Sequence, residues 1–265
     1  MFCRDANVDD NNICFEFPLN ERIRTLLRLE FMFAQMDYAL TGDTTRDTRY
    51  ALQTFFETFN IITRNELKSD LLQELDRHHA NLSRLAATPA VDTAVLNDIL
   101  SQISECREAL NQAKLVSPES VRQNEFLNAL RQRTVIPGGT CSFDLPAFHH
   151  WLEHNPTESR RAYIDEWRRP FTPLNNTVSL ILGLIRESAV PEQEVAKAGY
   201  FQKALDAHTP VQMSRVIIDR GGNVFPELSG GKHRISVRFL EQPNPNARAT
   251  QAEWDIPFKL VCCVI

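Results

Sequence analysis

No segment of the chain is apolar enough to span a bilayer. The strongest, Val178 to Ile185, is interrupted by Ser179 and Gly183 and falls far short of the roughly 20 residues required. Nothing in residues 1–12 reads as a secretory leader, since they hold Asp5, Asp9 and Asp10 where an apolar core would be expected. The expected location is the cytoplasm, with no membrane insertion. Excess charge of one sign is also lacking. With 29 Lys and Arg against 34 Asp and Glu the net charge is −5, so no overall basic surplus attracts nucleic acid or anionic lipid. Glycine is scarce, nine in all, and the Gly-Gly pairs at 138–139, 221–222 and 230–231 stand where turns are needed. None forms a G-x-G-x-x-G or Walker phosphate loop. Cysteines 3, 14, 106, 141, 262 and 263 are scattered through a chain too long to need a disulfide scaffold. Cys262 and Cys263 are adjacent in an expected strand and point to opposite faces, which prevents them from gripping one metal together.

What the chain does contain is a helical start that gives way to strands. Phe15-Glu16-Phe17-Pro18 alternates as a short strand, and Asn20 and Glu21 open a helix carrying Ile23, Leu26, Leu27, Phe33 and Ala34 at helical spacing. A second helix, about 47–62, presents Leu52, Phe55, Phe56, Phe59 and Ile62 on one face. Thr63-Arg64-Asn65-Glu66 reads as a capping box for a third helix with a leucine stripe at 67, 71, 75, 82 and 85. Pro89 stops it, and Asp92 caps a fourth helix with Leu96, Ile99, Ile103, Cys106 and Leu110 in a narrow seam. Joined by a short loop, these two form an antiparallel hairpin whose stripes either pair with each other or face a second subunit.

Ser117-Pro118 starts another helix to about 133, and shorter helices follow near 147–153, 158–167 and 174–187. From about Ala198 the period becomes two, with strands near 199–201, 211–218, 223–228, 233–240 and 254–264, read as one antiparallel meander. The fold class is α+β. Residues 13–135 are expected to form a mainly helical, dimerising domain. Residues 136–265 form a mixed domain with short helices and an antiparallel sheet, to which the strand at 13–18 can add.

Catalytic groupings are thin. His150 and His154 stand four apart beside Glu153 but lack an H-E-x-x-H order and a third ligand. Cys141 and His149 lack a group to orient them, and no pair of carboxylates stands out as acid and base. The reading is non-enzymatic, with no cofactor, metal or small-molecule substrate. Arginines carry more information. Arg24 and Arg28, at i and i+4, repel unless an anion lies between them. In Lys232 to Phe239, Ile235, Val237 and Phe239 share one face, while Arg234, Ser236 and Arg238 share the other. Arg215, Arg220, Lys232, Arg234 and Arg238 against Asp219 and Glu227 leave +3 over residues 215–240, a patch suited to carboxylates. Polynucleotide fits less well because no aromatic row shares the cationic face; a nucleic-acid-binding module on that face is the alternative reading.

The chain resembles the ZapD family of bacterial division proteins. The resemblance rests on Pro18 to Arg22, Arg24 to Glu30, Glu74 to Arg77, Arg131-Gln132-Arg133 leading to Ile136 to Gly139, Cys141 to Pro146, Lys232 to Phe239, and Cys262-Cys263. It implies a helical domain plus a strand domain and a homodimer. It also implies binding of the short, partly acidic C-terminal tail of FtsZ, so that each dimer cross-links and bundles protofilaments at the mid-cell division ring. The implied tail-binding residues are Arg28, His149, Lys232, Arg234 and Arg238, with Arg24 beside them. Glu125 stands where the family pattern leads one to expect a basic side chain, and Arg122 or Arg131 can take its place. Residues 1–12 lie outside the matched blocks.

Overall fold

A computed structural model of the protein describes residues 11–64, 66–86, 88, 91–113, 118–206 and 210–264. The expected Pro89 stop, the Ser117 cap, part of the 63–66 capping box and most of the N-terminal extension lie outside them. Two compact units emerge, one formed by Arg28–Leu180 and the other by residues 11–27 together with 181–264. The division falls at 180/181, where the sequence leads one to expect a boundary at 135/136.

In the helical unit, α1 (Glu21–Thr41) begins in the other unit and runs into this one, with Asn20 Oδ1 accepting from Ile23 N at 2.9 Å as its cap. Helix α2 (Thr45–Arg64) opens on a reciprocal pair: Thr44 N donates to Asp47 Oδ2 at 2.9 Å, and Asp47 N donates to Thr44 Oγ1 at 3.2 Å. The Thr44 hydroxyl, donating to Asp47 Oδ2 at 2.6 Å, and then the Thr44 N–H hold the Asp47 carboxyl below its usual pKa. The aromatic face expected of α2 is the buried one, with Leu52, Phe55, Phe56, Phe59 and Ile62 all in the core.

The third and fourth helices, α3 (Leu67–Leu85) and α4 (Thr93–Gln112), run antiparallel, with Lys68 Nζ donating to Asn111 O at 3.3 Å and Arg107 Nη1 3.2 Å from Asp76. Leu67, Leu71, Leu75, Leu96, Ile103 and Leu110 are buried inside the unit, so this part of both stripes is consumed there; Leu85 is exposed. Asp92 caps α4 by accepting from Ala94 N and Val95 N. The expected box at 63–66 does not form. Thr63 belongs to α2 and donates back to Phe59 O at 2.9 Å, a bond that competes with capping, and Glu66 makes no side-chain cap.

The helix expected from 117 to 133 is two, α5 (Pro118–Gln123) and α6 (Glu125–Thr134), because Asn124 Oδ1 accepts from Leu127 N at 3.0 Å and caps a new start. Helices α7 (Pro146–His154) and α8 (Thr157–Arg168) follow. Phe126 of α6 lies 6.2 Å from Phe148, 5.4 Å from Trp151 and 5.9 Å from Trp167, centroid to centroid. Buried Arg160 donates to Thr48 Oγ1 at 3.0 Å and to Asn155 O at 2.7 Å. Such ring packing and arginine bridging keep the short helices with the helical unit, which is why the division falls near 180 instead of 135.

The second unit is a sandwich of two antiparallel sheets rather than one meander. One has the order β1 (Asn12–Pro18), β4 (Met213–Asp219), β8 (Ile256–Cys263), β2 (Glu192–Ala196). The other has β3 (Tyr200–Ala204), β6 (Arg234–Glu241), β5 (Val224–Gly231), with the two-residue β7 (Thr250–Gln251) also on β6. Val216, Ile218, Phe258 and Leu260 from the first face Ile235, Val237 and Phe239 from the second, and the Phe239 and Phe258 rings meet at 5.2 Å. The N-terminal strand joins β4 as expected. Helix α9 (Thr172–Glu187) ends in this unit with Arg186, which donates from Nε and Nη2 to the Glu16 carboxylate, both at 2.8 Å. Glu16 pairs in register with Arg215, whose Nε lies 3.1 Å from the same carboxylate. Replacing Glu16 by Ala removes the anion that two buried cations share. We expect a loss of about 3 kcal/mol in urea unfolding.

In the helical unit His78 is fully buried, with neither ring nitrogen hydrogen-bonded among the described residues, and Nε2 lies 3.7 Å from Glu74, which is itself paired with Arg77. Burial, aided by Arg77, pushes the imidazole pKa down to about 4 from 6.5. The unfolded chain binds a proton below 6.5 that the folded one refuses, so stability falls as pH drops from 6.5 towards 4. The total is on the order of 3 kcal/mol. Urea midpoints measured between pH 7 and 5 should decline, and His78→Leu should flatten that slope.

Candidate functional site

The outward face of the β3-β6-β5 sheet is set by strict alternation along β6. Ile235, Val237 and Phe239 are buried, so Arg234, Ser236 and Arg238 point away from the core. The β5-β6 hairpin turns at Lys232-His233, two residues later than the Gly-Gly pair marked by the sequence, and Gly231 pairs with Arg234. Glycine at 230 allows close approach: a Cβ there would lie 3.0 Å from Arg234 O and 3.1 Å from Leu19 Cδ2, a tight fit.

Register then fixes the neighbours of each cation. Arg234 stands between Ala204 of β3 and Gly231 of β5, Ser236 between Gln202 and Ser229, and Arg238 between Tyr200 and Glu227. Small residues around Arg234 leave a depression of about 420 Å³ lined by residues 229–234 and Ser236. Lys232 and Arg234 are exposed and have no ionic partner among the described residues, whereas Arg238 is paired with Glu227.

The +3 patch shrinks accordingly. Arg215 lies on the central strand β4, is 1% exposed and is paired with Glu16, so it is not part of any surface. Arg220 donates to the backbone oxygen of Asn12 at 3.3 Å. Tyr200, 45% exposed, shares the cationic face, correcting the expectation of a face without aromatics; its hydroxyl donates to Gln202 Oε1 at 2.8 Å. A single ring supplies one stacking platform, not a row.

The remaining expected residues divide between the units. Arg24 belongs to the sheet unit, 5.8 Å over the Phe17 ring, with Nε 3.1 Å from Glu21. Arg28, Arg131 and His149 belong to the helical unit. Arg28 and His149 are exposed without partners among the described residues, and Arg131 is half-buried with Nη2 3.5 Å from Asn128 Oδ1. Arg122 is exposed and 3.9 Å from Glu119, while Glu125 lines an apolar groove with Phe126 and Pro146.

The weak catalytic pairings do not assemble. His150 and His154 stack at 3.8 Å with His154 Nδ1 3.0 Å from His150 O, and Cys141 Sγ is 3.5 Å from Asp144 rather than engaged with His149. Among the described residues no cluster of three metal-ligating side chains occurs, and no helix is long and apolar enough to cross a membrane. Burial pushes the Cys263 thiol up to about 12, away from thiolate chemistry.

A family model described as ZapD, cell division protein, matches residues 27–238. The chain belongs to the ZapD family. The cell division protein ZapD of Methylococcus capsulatus is 41% identical over 255 residues, covering 96% of this chain and 99% of the relative. That of Ralstonia pickettii is 39% identical over 252 residues, with coverage of 95% and 99%. The role is therefore in cell division, and the ZapD match includes all of the basic hairpin from Lys232 to Arg238.

Since Lys232 and Arg234 have no ionic partner among the described residues, Lys232→Ala and Arg234→Ala should each shift thermal stability by less than about 0.5 kcal/mol. A larger loss in calorimetry would give them a structural role.

Proposed function

We propose that this ZapD-family protein acts without catalysis by binding the short, partly acidic C-terminal tail of FtsZ. We further propose that it cross-links FtsZ protofilaments as a homodimer, through its helical unit, at the cytoplasmic division ring. The observation that carries the reading is the uncompensated pair Lys232 and Arg234, exposed at a hairpin tip of a chain whose net charge is −5. A guanidinium free of internal partners can take a carboxylate through two charge-assisted hydrogen bonds, and the neighbouring depression gives an extended peptide room beside it. Arg28 and His149 supply further unpaired donors on the helical unit. Two tail sites in one dimer raise the effective concentration of the second tail, so bundling tolerates modest affinity at each site.

Co-sedimentation with FtsZ polymers tests the reading. Binding should vanish when the FtsZ tail is deleted, and full retention would overturn the proposal. Arg234→Glu should weaken tail binding about tenfold at low salt, with the difference shrinking as salt rises. Steep, salt-dependent shifts of unrelated oligonucleotides would instead favour a nucleic-acid-binding module.

A further inference from the structure

Two arginines leave the same strand on the same side, four residues apart, yet the sheet treats them in opposite ways. Arg234 faces Ala204 and Gly231, neither of which has a polar side chain. Arg238 faces Glu227 directly across the β5-β6 ladder and is ion-paired with it. That pair is open to solvent, with the side chains 50% and 56% exposed, so an incoming carboxylate can reach the guanidinium without unfolding anything. Ser229 and Ser236, which face each other next along the ladder, form a neutral stretch between the free cations and the occupied one.

We infer that Glu227 is an internal competitor for the ligand: it holds Arg238 with the same chemical group an acidic peptide would bring, and so sets which acidic peptides the face accepts. The inference rests on reading this face as the tail site. A peptide with acidic groups at one end only engages Lys232 and Arg234 and leaves the Glu227 pair intact. A peptide with a second acidic group about 13 Å farther along, four residues at roughly 3.3 Å each, displaces Glu227 and gains Arg238. Because one carboxylate replaces another, the exchange adds little affinity while demanding a particular charge spacing. Specificity then comes from the cost of displacement as much as from attraction.

The test uses the full chain, a fluorescently labelled synthetic peptide of the FtsZ C-terminal tail, and anisotropy at low salt. Glu227→Gln keeps the size of the side chain and removes its charge. It should tighten binding about two- to fivefold, the range of an exposed ion pair, even though it removes a cross-strand contact and slightly lowers the melting temperature. Arg238→Gln should cost little in the native background and severalfold in the Glu227→Gln background. That non-additivity separates release of Arg238 from a general change in surface charge, which would give the same gain from Glu227→Gln in both backgrounds and overturn the inference. Unchanged or weaker binding by Glu227→Gln, with Arg234→Gln still impaired, overturns the competitor role and leaves the tail-site reading standing. If Arg234→Gln also binds normally, the tail-site reading falls and the inference falls with it.

Discussion

Glu16 is the point on which the sheet unit closes. Its carboxylate takes two hydrogen bonds from Arg186 at the end of α9 and faces Arg215 on the central strand β4. Three elements far apart in the chain thereby meet at one buried charge cluster. A buried cation is costly unless an anion and good geometry compensate it, so the ionic cluster tolerates few alternative arrangements. The N-terminal strand is held in one register on β4, and the end of α9 is tied to the same point through Arg186. The chain between them, residues 28–180, forms its own compact unit.

The opposite sheet of the sandwich carries the candidate site on its outer face, where Arg234 and Arg238 are exposed. Ile235, Val237 and Phe239 anchor β6 by burial, a contribution on the order of 2 kcal/mol for each side chain. The arginines between them are consequently fixed in direction by apolar packing beneath them. This is a rigid way to present cations.

Much of this was legible because local rules and tertiary packing agreed. Asn20 and Asp92 cap helices where their residue type predicts, the aromatic stripe of α2 is its buried face, and the alternation of β6 gives its two faces correctly. Other features depend on distant partners that no local window contains. Arg215 reads as one more surface cation because β4 is central and buried on both faces, and its anion lies about 200 residues earlier. Thr63 has the residue type for a cap but donates back into α2 instead. The Glu227 to Arg238 pairing was within reach: once the turn is placed at Lys232-His233, counting back along both strands makes them partners. Placing the turn on the glycines instead hides it, since a register error changes every cross-strand neighbour.

The arrival of β1 from the far end of the chain has a consequence for synthesis. Ile13, Cys14, Phe15 and Phe17 emerge from the ribosome early, but the strand they belong to pairs only with β4, some 200 residues later. At roughly 5–20 residues per second, that strand waits on the order of 10–40 s without its partner. Residues 28–180, which form the other compact unit, are all made before β4. For the nascent protein the hazard is therefore an apolar edge strand that is exposed long before its partner strand exists.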